Sequence, residues 1–285
     1  MKLPDCLFIE NDEIWLSEDE HNNLNLNYKI KDIIFEKQSA FQHVMILDSY
    51  SFGRMLVLDG IVQTTSLDGY IYNEMISHIP CCIHPDPRRI LIIGGGDCGA
   101  AREVCKYPNV EHLDLVEIDE TVVKACQKHL PEISGHLADP RVQFIFEDGV
   151  KFVKDRSQEY DIIIVDSSDP IGPAKALFEK EFYESLFEAL KSNGLMVCQS
   201  QSPVFHEEVM TQTYQKIKSL FKETWVYTAV VPTYPGGLWS FTIGAKQKIN
   251  IDPARLKGPT RYVNKQIMKH CFCLPEFMLQ QLGIN

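Results

Sequence analysis

Two periodicities divide the chain. Up to about Gln63, apolar and polar side chains alternate in short runs at 25–30, 32–36, 43–48 and 54–58, with Ser51-Phe52-Gly53 and Asp59-Gly60 supplying turn chemistry between them. A period of two belongs to strands with one buried face, so residues 1–63 are expected to form a small N-terminal antiparallel β domain. At 68–82 the spacing changes. Tyr72, Met75, Ile76 and Ile79 fall on one face of a helix, which His84-Pro85-Asp86-Pro87 ends.

Beyond Arg88 the apolar runs at 90–93, 113–116, 142–146, 162–165 and 195–198 are short and carry no alternation, as strands buried on both faces should. Helical stretches at 98–106, 120–129, 150–154, 179–190 and 207–221 separate them. Strand and helix in strict alternation predict an α/β fold with a doubly wound, Rossmann-like sheet of the class I methyltransferase kind, over residues 64–285. Two further strands, at 225–230 and 238–244, are expected to complete it as a hairpin joined by Pro232-Thr233-Tyr234-Pro235-Gly236-Gly237.

Composition narrows the function classes. With 285 residues, 45% hydrophobic and 24% charged, the chain can bury a sizeable core and has no apolar run long enough to span a bilayer. No secretory leader is visible in the first residues. The nine cysteines are scattered and outside zinc spacings, which predicts buried reduced thiols, no metal and a cytoplasmic location. A net charge of −11 without a basic run argues against nucleic acid and suits a cationic small molecule.

Candidate chemistry collects at strand ends. The run 90–93 passes directly into Gly94-Gly95-Gly96-Asp97-Cys98-Gly99, and a helix follows. Strand, glycine turn and helix in that order let a nucleotide approach bare backbone. Glu117, in Val116-Glu117-Ile118-Asp119, ends the next strand about 20 residues on, where an acid can accept both ribose hydroxyls. The glycine spacing also satisfies the dinucleotide pattern, but Asp97 inside the loop would repel a pyrophosphate and attract a sulfonium or an ammonium. An ordinary helix cap remains the alternative role for Asp97. Asp148, in Glu147-Asp148-Gly149, ends a third strand, placed to accept from an adenine amino group.

Asp166 and Asp169 follow the fourth strand in Asp166-Ser167-Ser168-Asp169-Pro170-Ile171-Gly172-Pro173, a loop able to close over a site. A protonated amine must lose a proton before it attacks carbon, and a carboxylate can both hold the cation and accept that proton. Asp166 is the candidate base, with Asp169 a second anchor. Neither Ser167 nor Ser168 sits in a G-x-S-x-G elbow, which sets serine hydrolysis aside.

With these motifs stand Leu58-Asp59-Gly60-Ile61-Val62-Gln63, Tyr72-Asn73-Glu74-Met75 and the Pro232–Gly237 segment. Together they resemble the polyamine aminopropyltransferases, the spermidine synthase family, over about residues 25–282. The resemblance implies transfer of an aminopropyl group from decarboxylated S-adenosylmethionine, a co-substrate and not a prosthetic group, to putrescine, giving spermidine and methylthioadenosine. It implies that Gln42, Asn73, Gly94, Gly96, Asp97, Glu117, Asp148 and Gly149 hold the donor. Gln63, Tyr72, Asp166, Asp169 and Tyr234 would line the diamine pocket, Asp166 would accept the proton, and the chain would form a homodimer or homotetramer.

Several positions depart from the family pattern. Cys98 replaces a loop glycine, Asn73 a histidine or glutamine, Gln201 an acid and Lys175 a glutamate, and Ser66 and Gly69 stand where glutamates are expected. The rival readings are an aminopropyltransferase for another amine, a methyltransferase using S-adenosylmethionine, and a catalytically silent nucleotide-binding homologue.

Overall fold

The alternating N-terminal segments pair in chain order into a six-stranded antiparallel sheet: β1 (Leu7–Glu10), β2 (Glu13–Glu20), β3 (Leu24–Gln38), β4 (His43–Ser49), β5 (Gly53–Leu58) and β6 (Ile61–Thr65). This computed structural model describes residues 3–20, 23–170 and 172–284; Met1, Lys2 and Ile171 lie outside them. β1 and β2 precede the strands expected from residue 25 onward. Their alternation is hidden because Glu18 shares the inward face of β2 with Leu16, so the inward row ends on an acid. The expected strands 25–30 and 32–36 are one strand, β3, whose register shifts between Ile30 and Asp32 and again between Ile33 and Phe35. Each irregularity reverses the parity of facing, which reads in sequence as a break. The expected division after Gln63 falls inside β6.

One face of this sheet closes on its own core, with Leu16, Ile30, Met45, Leu47 and Val57 buried. The other face carries Val44, Ile46 and Leu56 against Val122, Cys126 and Ile133 of the second unit. The N-terminal sheet is thereby clamped beside the second one, which brings its loops to the nucleotide edge.

The second unit begins with α1 (Gly69–Ile83), then runs β7 (Arg89–Gly94), α2 (Gly99–Val104), β8 (His112–Val116), α3 (Glu120–His129), α4 (Pro131–Ser134), β9 (Val142–Ile145), α5 (Gly149–Lys154), β10 (Tyr160–Asp166), α6 (Lys180–Ala189), β11 (Leu190–Gln199), α7 (Glu207–Lys218), β12 (Glu223–Val230), β13 (Leu238–Ala245), α8 (Lys265–His270) and α9 (Glu276–Leu282). The strands order as β12-β13-β11-β10-β7-β8-β9, parallel from β11 through β9 and antiparallel at the terminal hairpin. Ile90, Ile92, Ile162 and Ile164 bury toward α1 and α2, while Leu91, Ile93, Ile163 and Val165 bury toward α5 and α6. Each such fully buried side chain contributes about 1.5–3 kcal/mol relative to exposure. This is the expected Rossmann-like doubly wound sheet with its N-terminal β domain. All nine cysteines are free thiols; six are buried as expected, while Cys6 and Cys105 are half-buried and Cys273 is exposed. Among the described residues no helix is long and apolar enough to cross a membrane.

Candidate functional site

Chain order reverses in the sheet at the junction of β7 and β10. From β7 the chain winds outward through β8 and β9, then returns to β10 on the other side. The loops leaving β7 and β10 diverge there, and the carboxyl edge of an open α/β sheet is cleft at that point. A cavity of about 410 Å³ occupies this cleft, walled on its far side by the N-terminal sheet.

The two loops meet through glycine. Gly95 donates its N–H to the Asp166 carbonyl at 2.9 Å. Gly94 has φ +81°, and a Cβ there would lie 2.2 Å from the same carbonyl oxygen. Gly94→Ala is therefore expected to destabilise the fold by about 2 kcal/mol or more and to weaken nucleotide binding, as urea unfolding and calorimetry would read. At Gly96 a Cβ would stand 3.0 Å from a Glu117 carboxylate oxygen, so the absent side chain leaves that acid room at the cavity wall.

Asp97, Glu117 and Asp166 face this cavity together. One oxygen of Asp97 accepts the Gly99 N–H at 2.8 Å and the other accepts from the Asn73 amide at 3.3 Å. Asp97 thus ties down the start of α2 and also presents its charge to the cavity, so the two roles coexist. Glu117 accepts the Asp119 N–H at 3.0 Å. Asp166 accepts the Tyr72 hydroxyl at 2.7 Å on one oxygen. Burial, followed by the charge of Asp97, raises the Asp166 carboxyl to about 7, while the Tyr72 hydrogen bond acts in the opposite direction. Burial likewise raises Glu117 to about 7 and pushes Asp97 upward.

Glu18, Asp59, Asp148 and Asp169 also line the cavity, and among the described lining residues there is no lysine, arginine or histidine. Carboxylates gathered in one cavity without a countercharge disfavour one another's charged form, and a cation beside them favours it. The carboxyl of Asp166 titrates higher in the folded protein than in the unfolded chain. The native state therefore binds more protons between about pH 4 and 7, and stability falls as pH rises through that window. Asp166→Asn removes this loss. Thermal melts of the ligand-free protein are expected to show the variant gaining on the parent by a few degrees between pH 5 and pH 8.

The aromatic wall is Tyr72 from α1 and Tyr234 from the β12–β13 connection, edge to face at 5.9 Å between ring centres. Trp239 packs behind Tyr234 at 4.4 Å. The Tyr234 hydroxyl donates to the Gln63 carbonyl at 2.8 Å. Gln42 and Gln63 reach the cavity from the N-terminal sheet, Gln42 donating to Asp119 at 3.2 Å. Asp148 caps α5 through the Val150 N–H and, with Gly149, borders the open side. Asp169 accepts from the Gln201 amide at 2.6 Å. Beyond it, Ala174 and Leu177 of the 3-10 turn Gly172–Phe178 help to cover the cavity.

Of the residues assigned above to the donor and diamine sites, only Asn73 does not line the cavity. It is fully buried behind the loop, and its contribution reaches the cavity through Asp97. Sequence reasoning missed Glu18, Asp59 and Trp239. An inward-facing acid on a β strand was the available sign for Glu18, whose oxygens accept the Val62 N–H at 2.9 Å and the Tyr28 hydroxyl at 3.1 Å. Asp59 read as a plain turn residue.

Comparison with known proteins gives this site a lineage. A family model described as the spermine/spermidine synthase domain matches residues 69–253, and one described as the spermidine synthase tetramerisation domain matches residues 14–66. The polyamine aminopropyltransferase of Desulforudis audaxviator is 45% identical over 271 residues, 93% of this chain and 98% of the relative. That of Methanocaldococcus jannaschii is 43% identical over 274 residues, 93% of this chain and 94% of the relative. Among solved structures, a spermidine synthase in complex with the transition state analogue AdoDATO superposes with a TM-score of 0.92 at 35% identity, covering 94% of both chains. Spermidine synthase from Thermotoga maritima gives 0.89 at 34% identity, over 95% of this chain and 94% of the other. The carboxylate-lined cleft, the sheet order and these likenesses agree: the chain belongs to the spermine/spermidine synthase family of polyamine aminopropyltransferases.

Proposed function

We propose that the chain transfers an aminopropyl group from decarboxylated S-adenosylmethionine to putrescine, giving spermidine and methylthioadenosine. The observation that carries this reading is Asp166, enclosed with Asp97 and Glu117 in a cavity whose described lining residues include no lysine, arginine or histidine. A carboxyl that burial raises to about 7 becomes a ready carboxylate beside a sulfonium and an ammonium, because cations favour its charged form. In this reading the amine nitrogen attacks the carbon next to sulfur, the carbon–sulfur bond breaks with its electron pair left on sulfur, and the amine proton passes to Asp166. Tyr72 occupies one Asp166 oxygen, which leaves the other for the amine.

Asp97 receives the donor's ammonium, Glu117 its ribose hydroxyls, and Asp148 its adenine amino group, with Gly94, Gly96 and Gly149 allowing close approach and Gln42 closing the far side. Asn73 acts on the donor through Asp97. Tyr72 and Tyr234 flank the diamine, offering cation–π contact at its ends and apolar contact along its middle, while Asp169 and Gln63 border that pocket. A homodimer or homotetramer is supported by the tetramerisation-domain match, and a cytoplasmic location by the free thiols.

The test is calorimetry with two donors. S-Adenosylmethionine carries a carboxylate that would face Asp97, so the decarboxylated form should bind about 100-fold more tightly. Equal affinities would favour methyl transfer.

A further inference from the structure

Asp68 stands where an aspartate ordinarily caps a helix, at the residue before α1, yet its side chain makes no capping bond. A cap there is worth about 1 kcal/mol, so a capping residue turned elsewhere has a competing partner. Its carboxylate is 3% exposed and turns away from the helix. One oxygen accepts the Thr65 hydroxyl at 2.6 Å. The other accepts both the backbone N–H of Thr233, at 2.8 Å, and the Thr233 hydroxyl, at 2.6 Å. Thr233 is the neighbour of Tyr234, and its carbonyl shares the Tyr28 hydroxyl proton with Glu18, each at 3.1 Å. The Tyr234 hydroxyl is in turn held by the Gln63 carbonyl at 2.8 Å. The Thr65 bond fixes Asp68 itself, and each of the others ties the β12–β13 connection to a residue that precedes α1.

We infer that Asp68 is a positioning residue for the acceptor amine, acting through Thr233 to hold the Tyr234 ring against the cavity. The inference rests on the aminopropyl-transfer reading above. Tyr234 projects from the seven-residue connection between β12 and β13, which carries two glycines with positive φ, Gly236 and Gly237. The connection closes on itself through the Tyr234 N–H to the Val231 carbonyl, at 3.0 Å, and the Gly237 N–H to the Tyr234 carbonyl, at 2.8 Å, but these bonds shape the turn without anchoring it to the segment before α1. Two charge-assisted bonds to a single buried oxygen supply that anchor. The donor pocket, built on the loops after β7 and β8, receives no bond from Asp68, so the effect is confined to the amine.

The experiment titrates putrescine into the full-length protein loaded with methylthioadenosine, and measures methylthioadenosine binding alone in parallel. Asp68→Asn is expected to weaken putrescine by about tenfold and leave methylthioadenosine affinity unchanged, the amine KM rising while kcat holds. Thr233→Val keeps the backbone N–H and loses only the hydroxyl, so it should weaken putrescine by a smaller factor; it carries the test alone where Asp68→Asn fails to fold. Combining Asp68→Asn with Tyr234→Phe should add less than the sum of the two, since both loosen one ring. Unchanged putrescine affinity in the single variants, full additivity in the double, or a parallel fall in methylthioadenosine affinity would overturn the inference. An unsubstituted protein that binds no putrescine would instead refute the functional reading on which it rests.

Discussion

Asp166→Asn should lower kcat by about two to four orders of magnitude while methylthioadenosine binding stays essentially intact, the range a positioned general base contributes. The substitution keeps the shape of the side chain, and the asparagine carbonyl can still accept the Tyr72 hydroxyl that now bonds Asp166 at 2.7 Å. The backbone carbonyl that receives the Gly95 N–H is untouched. What disappears is the proton acceptor and the charge that draws in the amine. Rate measurements under single-turnover conditions, with calorimetry of the thioether product, separate these effects. Turnover retained within a few-fold would remove Asp166 from the role of base.

The second large effect belongs to Asp97→Asn. An asparagine can keep the bond to the Gly99 N–H, so the turn into α2 survives. Its lost charge should weaken decarboxylated S-adenosylmethionine by about 10- to 100-fold, the scale of a hydrogen bond to a charged group. The carboxylated form, freed from repulsion, should bind more tightly, and the ratio between the two should collapse toward one. A ratio that persists in the variant would leave Asp97 as a helix-anchoring residue alone. Removing one of three neighbouring acids also lowers the Asp166 carboxyl toward the ordinary range, because the Asp97 charge is the largest cause of its elevation after burial. The pH profile of kcat/KM should shift to lower pH accordingly.

The elements that sequence pattern located well are those whose signal is local. The helix expected at 120–129 forms at Glu120–His129, with Asp119 as its cap accepting the Thr121 N–H. The acids at the strand ends were legible because an apolar run followed at once by glycine or an acid marks the carboxyl edge of a buried strand. By contrast β11 begins at Leu190, five residues before its apolar run, because Lys191, Ser192 and Asn193 extend it on an unburied stretch. The helices α8 and α9, of six and seven residues, are too short to display a period. Glu18 and Asp59 reach the cavity only because the N-terminal sheet docks on α3 and α4, a contact made across distant segments that no local spacing encodes. Asn73 illustrates the same limit in one turn of helix. It adjoins Tyr72 in sequence, but successive helical residues lie about 100° apart, so Tyr72 faces the cavity and Asn73 faces the back of the glycine loop.

The most direct measurement is mass spectrometry of the products after the purified protein is incubated with decarboxylated S-adenosylmethionine and putrescine, with longer and shorter amines in parallel. Methylthioadenosine and spermidine appearing in equal amounts, with putrescine the preferred acceptor, is the predicted result. Methylthioadenosine absent with every amine, while S-adenosylmethionine yields a methylated amine, would contradict it.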